Sequence, residues 1–285
     1  MGRSVKDAAR PIGVFDSGMG GLTVLRALHA LLPGEDIIYF GDTARVPYGT
    51  KGEKTVRAFA SQDAGLLVDL GVKMVVVACN TASAFALEHL RETIDVPVLG
   101  VINPGVRTAL ANTRGGAVGV IGTSGTIRSG RYQEGLKAGG LGDERILVQE
   151  CPLFVPLVEE GMMGHAMTVM AVEEYLLPLR EAGVDTLILG CTHYPAMKED
   201  IGRFMGPDVN LVDSADALAE AAQDRLNELG LLRGGDENRE GELEFYLSDI
   251  PWKFQEIGAR FLGKPIKEVI TVGLDEMEEA GDNND

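Results

Sequence analysis

Short apolar runs alternate with longer amphipathic stretches along most of the chain. The apolar runs predict strands at residues 12–15, 36–40, 73–78, 98–102, 117–121, 145–149, 186–189 and 210–212. The amphipathic stretches predict helices that include residues 21–32, 52–70, 82–92, 168–181 and 215–229. Continuously apolar strands separated by helices are typical of parallel sheets that are covered on both faces. The pattern therefore predicts an α/β fold.

The strand pattern also repeats within the chain. Residues 12–18 (IGVFDSG) resemble residues 118–124 (VGVIGTS), and residues 74–81 (MVVVACNT) resemble residues 186–193 (TLILGCTH). The runs occur in the same order in both copies, and the second run of each copy ends in a cysteine and a polar pair. Valine-rich runs recur by chance in any α/β chain, but the matching cysteines favour a repeated unit.

The repeat predicts two similar, doubly wound domains with mostly parallel sheets and a site in the crevice between them. The first domain comprises residues 1–102 together with residues 213–285, because the chain after about residue 211 is too short for a third unit. The second domain comprises residues 103–212. Residues 234–244, rich in glycine and acidic side chains, predict a surface loop or a flexible connection. Residues 275–285 carry six acidic residues and no basic one, which predicts a solvated tail.

The charge balance limits the possible partners. The chain has 285 residues, with 26 Lys and Arg against 43 Asp and Glu, and a net charge of −17. An anionic duplex or membrane surface would repel it, so we expect no nucleic-acid or membrane partner. No apolar run is long enough to cross a bilayer, and the first residues lack a signal-peptide pattern. We therefore expect a soluble, cytoplasmic protein.

The three cysteines have no close pairing, which excludes a disulfide framework. Cys79 and Cys191 each follow a predicted strand, where ligands of open α/β sheets bind near helix N-termini. A helix N-terminus lowers the pKa of a thiol, so we expect thiolate to be accessible near neutral pH. A free cysteine can equally be a small buried hydrophobe, and the apolar surroundings of Cys151 favour that role.

Other polar residues follow the predicted strands. Asp16 and Ser17 precede a glycine-rich turn that would let backbone N–H groups approach an anion, although Asp16 could equally cap a helix. Tyr48 and Gly49 lie in the loop after the second strand and could contact a ligand through hydroxyl and backbone, or form a plain turn. His193, two residues after a cysteine, could donate a proton or stabilise a thiolate.

Other site types are less well supported. Glu159 and Glu160 follow an apolar run, and their spacing alone favours an ordinary solvated helix start. No HExxH motif or paired His and Cys spacing predicts a metal site. No GxGxxG fingerprint or P-loop predicts a nucleotide.

Four motifs occur in a fixed order: FDSGMGGLTV, GDTARVPYG, VVACNTASA and GCTHYP. Together they resemble the aspartate/glutamate racemase superfamily from about residue 12 to about residue 225, and their forms favour glutamate over aspartate. The resemblance implies racemisation of L-glutamate and D-glutamate without pyridoxal phosphate or any other cofactor, supplying D-glutamate for peptidoglycan precursors. A homodimer is a further expectation. The alternatives are aspartate racemase, another small-carboxylate isomerase or decarboxylase, a non-catalytic amino-acid-binding module, or a thiol hydrolase.

The resemblance also assigns residues. Cys79 and Cys191 would act as acid and base on opposite faces of the α-carbon. Asp16, Glu159 and His193 would support them, Asp16 near Cys79 and His193 near Cys191, with Glu160 as an alternative to Glu159. The implied substrate contacts are Asp16, Ser17, Tyr48, Gly49, Asn80, Thr81, Thr192 and His193.

Overall fold

The computed structural model describes residues 5–234 and 239–275, and it confirms the α/β class. The strands are β1 (Ile12–Asp16), β2 (Ile37–Gly41), β3 (Met74–Val77), β4 (Val98–Gly100), β5 (Ala117–Gly122), β6 (Ile146–Glu150), β7 (Val184–Gly190), β8 (Asn210–Asp213), β9 (Leu243–Leu247) and β10 (Ile270–Thr271). The helices are α1 (Val5–Ala8), α2 (Leu22–Leu31), α3 (Glu53–Asp69), α4 (Asn80–Thr93), α5 (Ile102–Asn112), α6 (Ser124–Arg128), α7 (Arg131–Ala138), α8 (Phe154–Glu159), α9 (Ala166–Glu181), α10 (Lys198–Met205), α11 (Ser214–Glu228) and α12 (Phe254–Leu262). Short 3-10 turns cover Thr43–Arg45, Tyr48–Thr50, Asp143–Arg145 and Tyr194–Met197.

The strands form two parallel sheets. The order in one sheet is β10-β9-β2-β1-β3-β4, and the order in the other is β6-β5-β7-β8. The run β2-β1-β3-β4 therefore has the same spatial order as β6-β5-β7-β8, and the repeated sequences lie on equivalent strands. The sequence repeat is a repeat of topology.

A shared apolar core joins the two sheets. Helix α11 packs against α2, which covers the first sheet, and against α5, beside the second sheet. Buried leucines and alanines fill this contact, among them Leu25 on α2 and Leu218 on α11. Apolar residues from both sheets belong to the same cluster, which holds the sheets with their carboxyl ends near one another. Within the described ranges, no helix combines the length and apolar character needed to cross a membrane.

Some predicted boundaries are wrong. The predicted strand 98–102 ends at Gly100, and α5 begins at Ile102. Pro104 lies in the first turn of that helix, where a missing N–H costs nothing because it has no intrahelical partner. Strand β9 occupies the end of the predicted loop 234–244, because it pairs with β2 and extends the first sheet.

Other predictions are not tested. Residues 235–238 of the predicted loop lie outside the described residues, as does all of the acidic tail except Asp275. Both β9 and β10 belong to the first sheet. The domain boundaries themselves stay a prediction.

Candidate active site

A cavity of about 260 Å³ lies between the carboxyl ends of the two sheets. Every residue predicted for the site lines it except Asp16, which is buried beside it. The predicted residues that line it are Ser17, Tyr48, Gly49, Cys79, Asn80, Thr81, Glu159, Cys191, Thr192 and His193. The cavity therefore brings together residues that are far apart in the sequence.

Cys79 caps the N-terminus of α4. Its Sγ accepts a hydrogen bond from the backbone N–H of Ala82 at 3.4 Å and lies 3.6 Å from Ser17 Oγ. Burial raises the pKa of the Cys79 thiol and the nearby Asp16 carboxylate raises it further, to about 12, although the bonds to Ala82 and Ser17 lower it. The expectation of an accessible thiolate is therefore wrong for Cys79, because desolvation outweighs the helix terminus.

Asp16 is buried beside the cavity and contacts residues on both of its sides. Its Oδ2 accepts a hydrogen bond from Gly18 N at 3.1 Å, and its Oδ1 accepts one from Thr192 Oγ1 at 3.4 Å. Burial raises the pKa of Asp16, while the charge of His193 and hydrogen bonds oppose that rise. A Cβ atom at Gly21 would lie 2.4 Å from the Asp16 Cβ, so the turn after β1 needs glycine at this point.

His193 joins Cys191 to Glu159. Its Nδ1 lies 3.9 Å from Cys191 Sγ, and its Nε2 lies 3.0 Å from Glu159 Oε1. Burial lowers the pKa of His193, but the hydrogen bonds to Cys191 and Glu159 and the charges of these two groups together outweigh burial and raise it to about 10. The contacts to Cys191 and Glu159 therefore favour the protonated imidazole. Phe261 on α12 packs edge-on against it, with ring centroids 5.4 Å apart.

The neighbouring carboxylate takes no part in this contact. Glu160 is exposed and forms an ion pair with Lys253 at 2.6 Å. Of the two adjacent glutamates, only Glu159 contacts His193 among the described hydrogen bonds.

The side chain of Tyr48 lines the cavity, but its hydroxyl bonds within the protein. That hydroxyl contacts the Asp42 carboxylate and lies 2.9 Å from Asp63 Oδ2. That Tyr48 contacts the substrate stays a prediction. Gly49 packs tightly across the cavity, since a Cβ atom there would lie 2.6 Å from the Cβ of Thr123.

Asn80 offers an unused donor. Its Oδ1 accepts a hydrogen bond from the hydroxyl of Tyr132 at 2.7 Å. Its Nδ2 is buried and has no hydrogen-bond partner within the described residues. A buried unpaired amide is costly, so this N–H is suited to a ligand carboxylate.

The sequence analysis missed a group of hydroxyls on the second sheet's side. Thr81 Oγ1 lies 2.9 Å from Thr123 Oγ1 and 3.1 Å from Thr126 Oγ1. Thr123 also caps α6. The repeat contained the signal, because residues 122–124 match residues 16–18, which puts Thr123 in register with Ser17. Phe261 had no comparable signal, because no predicted element covers it.

Among residues 5–234 and 239–275, no cluster of three or more His, Cys, Asp or Glu side chains could hold a metal ion. The absence of a cofactor stays a prediction. The functional groups that face the cavity are thiols, hydroxyls, an amide, an imidazole and a carboxylate.

Comparison with known proteins defines the class. Residues 12–222 match the sequence profile of the Asp/Glu/Hydantoin racemase family. The chain belongs to this family and is an amino-acid racemase. The resemblance predicted from the four motifs is confirmed.

Individual relatives narrow the assignment to the glutamate racemases. One from Geobacter metallireducens is 50% identical over 271 residues, which cover 95% of this chain and 99% of that protein. The structure from Francisella tularensis in complex with D-glutamate has a TM-score of 0.86 and 39% identity, covering 94% of this chain and 99% of that one. The structure from Thermus thermophilus in complex with β-chloro-D-alanine has a TM-score of 0.83 and 44% identity. The match covers 95% of this chain and 99% of that one.

Proposed function

We propose that the chain interconverts L-glutamate and D-glutamate without a cofactor, with Cys79 and Cys191 as the two acid/base groups. One observation carries the proposal: thiols at equivalent positions of two repeated units line a single cavity of about 260 Å³. Racemisation requires a proton to leave one face of the α-carbon and another to arrive on the opposite face. Two opposed thiols provide a proton carrier for each face.

The surroundings of the thiols suggest how the cycle starts. Protonated His193 stabilises negative charge on the Cys191 sulfur, whereas buried Cys79 beside Asp16 retains its proton. In this form Cys191 abstracts the α-proton and Cys79 donates its own to the other face. The product leaves a thiolate at Cys79 and a thiol at Cys191, which is the form that catalyses the reverse reaction.

Polar groups around the cavity bind the substrate. The free Nδ2–H of Asn80 and the hydroxyls of Thr81 and Thr123 donate to its carboxylates. Ser17 and Thr192, one beside each cysteine, supply further polar contacts. The α-proton is weakly acidic, so the carbanion depends on fixed donors in a site that excludes water.

The test is optical rotation of the purified protein with L-glutamate or D-glutamate and no added cofactor. We expect the rotation to decay to zero from either enantiomer, and in heavy water the first product to carry deuterium. L-aspartate is the control, and faster racemisation of aspartate would overturn the substrate assignment. Binding of glutamate without loss of rotation would indicate a binding module, and activity that requires pyridoxal phosphate would overturn the two-thiol mechanism.

The wider setting is part of the proposal. D-glutamate would feed peptidoglycan precursor synthesis in the cytoplasm, and the net charge of −17 disfavours nucleic-acid and membrane partners. Exposed apolar side chains on α9, Met167 and Met170, favour a homodimer. Light scattering measures the mass, and a monomer at working concentration would overturn the dimer.

A further inference from the structure

A group of buried polar side chains lies behind residues 46–49, the loop that forms one wall of the cavity. Asp42, Arg45, Tyr48 and Asp63 make up this group, which we call the buried carboxylate cluster. Both carboxylates are fully buried, and the Arg45 side chain is 12% exposed. The cluster therefore holds two acids and one base with almost no solvent.

Arg45 contacts both acids. Its Nε lies 2.7 Å from Asp42 Oδ2, and its Nη2 lies 2.9 Å from Asp63 Oδ1. The guanidinium also lies over the ring of Phe59, 4.2 Å from its centroid. One positive charge thus faces two carboxyl groups, and full ionisation would leave a buried, uncompensated negative charge.

The tyrosine hydroxyl allows the protons to be counted. It contacts Asp42 Oδ2 and lies 2.9 Å from Asp63 Oδ2, but a phenol has a single hydrogen to donate. With both carboxylates ionised, one of these contacts would bring two oxygen acceptors together without a proton. A proton on Asp63 removes the conflict, because Asp63 then donates to the Tyr48 oxygen and Tyr48 donates to Asp42.

The other contacts favour Asp63 over Asp42 as the acid that keeps the proton. Asp42 also accepts from Ser248 Oγ at 2.9 Å, so three donors stabilise its charge, whereas Asp63 has fewer. Burial raises the pKa of Asp63 well above its usual range, and the charges of Asp42 and Asp16 raise it further. Arg45 and the Tyr48 hydroxyl lower it, but the pKa of Asp63 remains well above its usual range.

We infer that Asp63 is a positioning residue that remains protonated and, through Tyr48, holds the loop 46–49 against the cavity. The loop also meets the second sheet's side, where Gly49 packs against Thr123. Asp63 lies on α3 and does not line the cavity. The link to glutamate binding rests on the proposed function, whereas the protonation state does not.

Infrared difference spectroscopy tests the protonation state directly. We expect the wild-type protein minus Asp63→Asn to show the carbonyl stretch of a protonated carboxylic acid at neutral pH. Asp69→Asn, on the exposed end of the same helix, is the control and should show the bands of an ionised carboxylate instead. Bands of an ionised carboxylate in the difference between wild type and Asp63→Asn would overturn the inference. A protonated band that disappears in Asp42→Asn but persists in Asp63→Asn would also overturn it.

Kinetics tests the positioning role. An Asn at position 63 can donate to Tyr48 and accept from Arg45, so KM for glutamate should stay within about threefold of wild type. Asp63→Leu removes both contacts and should raise KM about tenfold, equivalent to about 1.4 kcal/mol, with a smaller change in kcat. Equal KM increases in both variants, or a wild-type KM in Asp63→Leu, would overturn the role. If Asp63→Leu does not fold, a KM for Asp63→Asn raised about tenfold overturns it, and a KM within about threefold supports it together with the infrared result.

The two measurements separate this inference from the proposed function. The infrared result does not depend on turnover. If Asp63 is protonated in a protein that does not racemise glutamate, the inference about the buried carboxylate cluster holds and only the proposed activity is wrong.

Discussion

The two cysteines occupy equivalent positions in the repeated units but differ in their electrostatic surroundings. Cys79 is followed by Asn80 and lies near the buried Asp16 carboxylate, which disfavours a thiolate. Cys191 is followed two residues later by His193, whose pKa is raised to about 10. The repeat thus supplies two similar thiols facing one cavity, and the positions at which its two copies differ make the surroundings of the thiols unequal.

The difference between the two thiols cannot change the ratio of kcat/KM for the two enantiomers. L-glutamate and D-glutamate have equal free energies, so kcat/KM must be the same for both in any variant. The inequality between the thiols can only appear in the separate kcat and KM values, in pH profiles and in isotope exchange. These observables are the ones that break or sharpen the comparison.

The largest effect should come from removing either thiol. Cys79→Ala and Cys191→Ala should each lower kcat/KM by about 10³-fold or more, because one face of the α-carbon loses its proton carrier. Polarimetry measures the loss, and Cys151→Ala is the control because Cys151 is buried outside the cavity lining. Conversion within about tenfold of wild type would mean that the altered cysteine is neither acid nor base.

The next effect concerns the Cys191 side alone. His193→Asn removes the positive charge beside the sulfur and should lower kcat/KM about 10²-fold, equally for both enantiomers. Glu159→Gln leaves the imidazole in place and should cost less, about tenfold. Glu160→Gln is the matched control, since Glu160 pairs with Lys253 instead. Equal losses in the two glutamate variants would contradict the assignment of Glu159.

The same histidine should make stability depend on pH. Its folded pKa of about 10 lies above the usual 6.5, so its contribution is complete below about pH 6.5 and is lost as pH rises through about 10. The free energy of unfolding should fall by about 2 kcal/mol from about pH 7 to about pH 9. Urea titrations measure this decline, and His193→Asn should flatten it. An equally steep decline in that variant would assign the effect to another group.

The smallest effect tests the orientation of Asn80 on the Cys79 side. Tyr132→Phe removes the hydroxyl that bonds Asn80 Oδ1, and KM should rise about fivefold, since one hydrogen bond is worth about 1 kcal/mol. Tyr246→Phe, whose hydroxyl bonds Glu244 at the surface, should leave KM unchanged. An unchanged KM in Tyr132→Phe would show that Asn80 does not depend on this contact.

The sequence predicted the features that depend on short runs of neighbouring residues, and it did not predict those that depend on contacts between distant residues. Strands β1 to β8 are short apolar runs, and the repeat put Cys79 and Cys191 at matching strand ends. The direction of the Tyr48 hydroxyl depends on Asp63 on a different element, and the pKa of Cys79 depends on burial. No local pattern contains such facts. The predicted end of strand β4 was wrong although the local signal was strong, because the apolar run continues past Gly100 from the strand into helix α5.

Gly49 and Thr123 meet where the loop 46–49 lies against the second sheet's side. A Cβ atom at position 49 would lie 2.6 Å from the Thr123 Cβ, closer than two carbon atoms can approach. One added methyl group would therefore act as a wedge, forcing apart the walls contributed by the two sheets. The missing side chain at position 49 therefore lets the loop 46–49 lie directly against Thr123, and any larger residue there would require the loop or Thr123 to move.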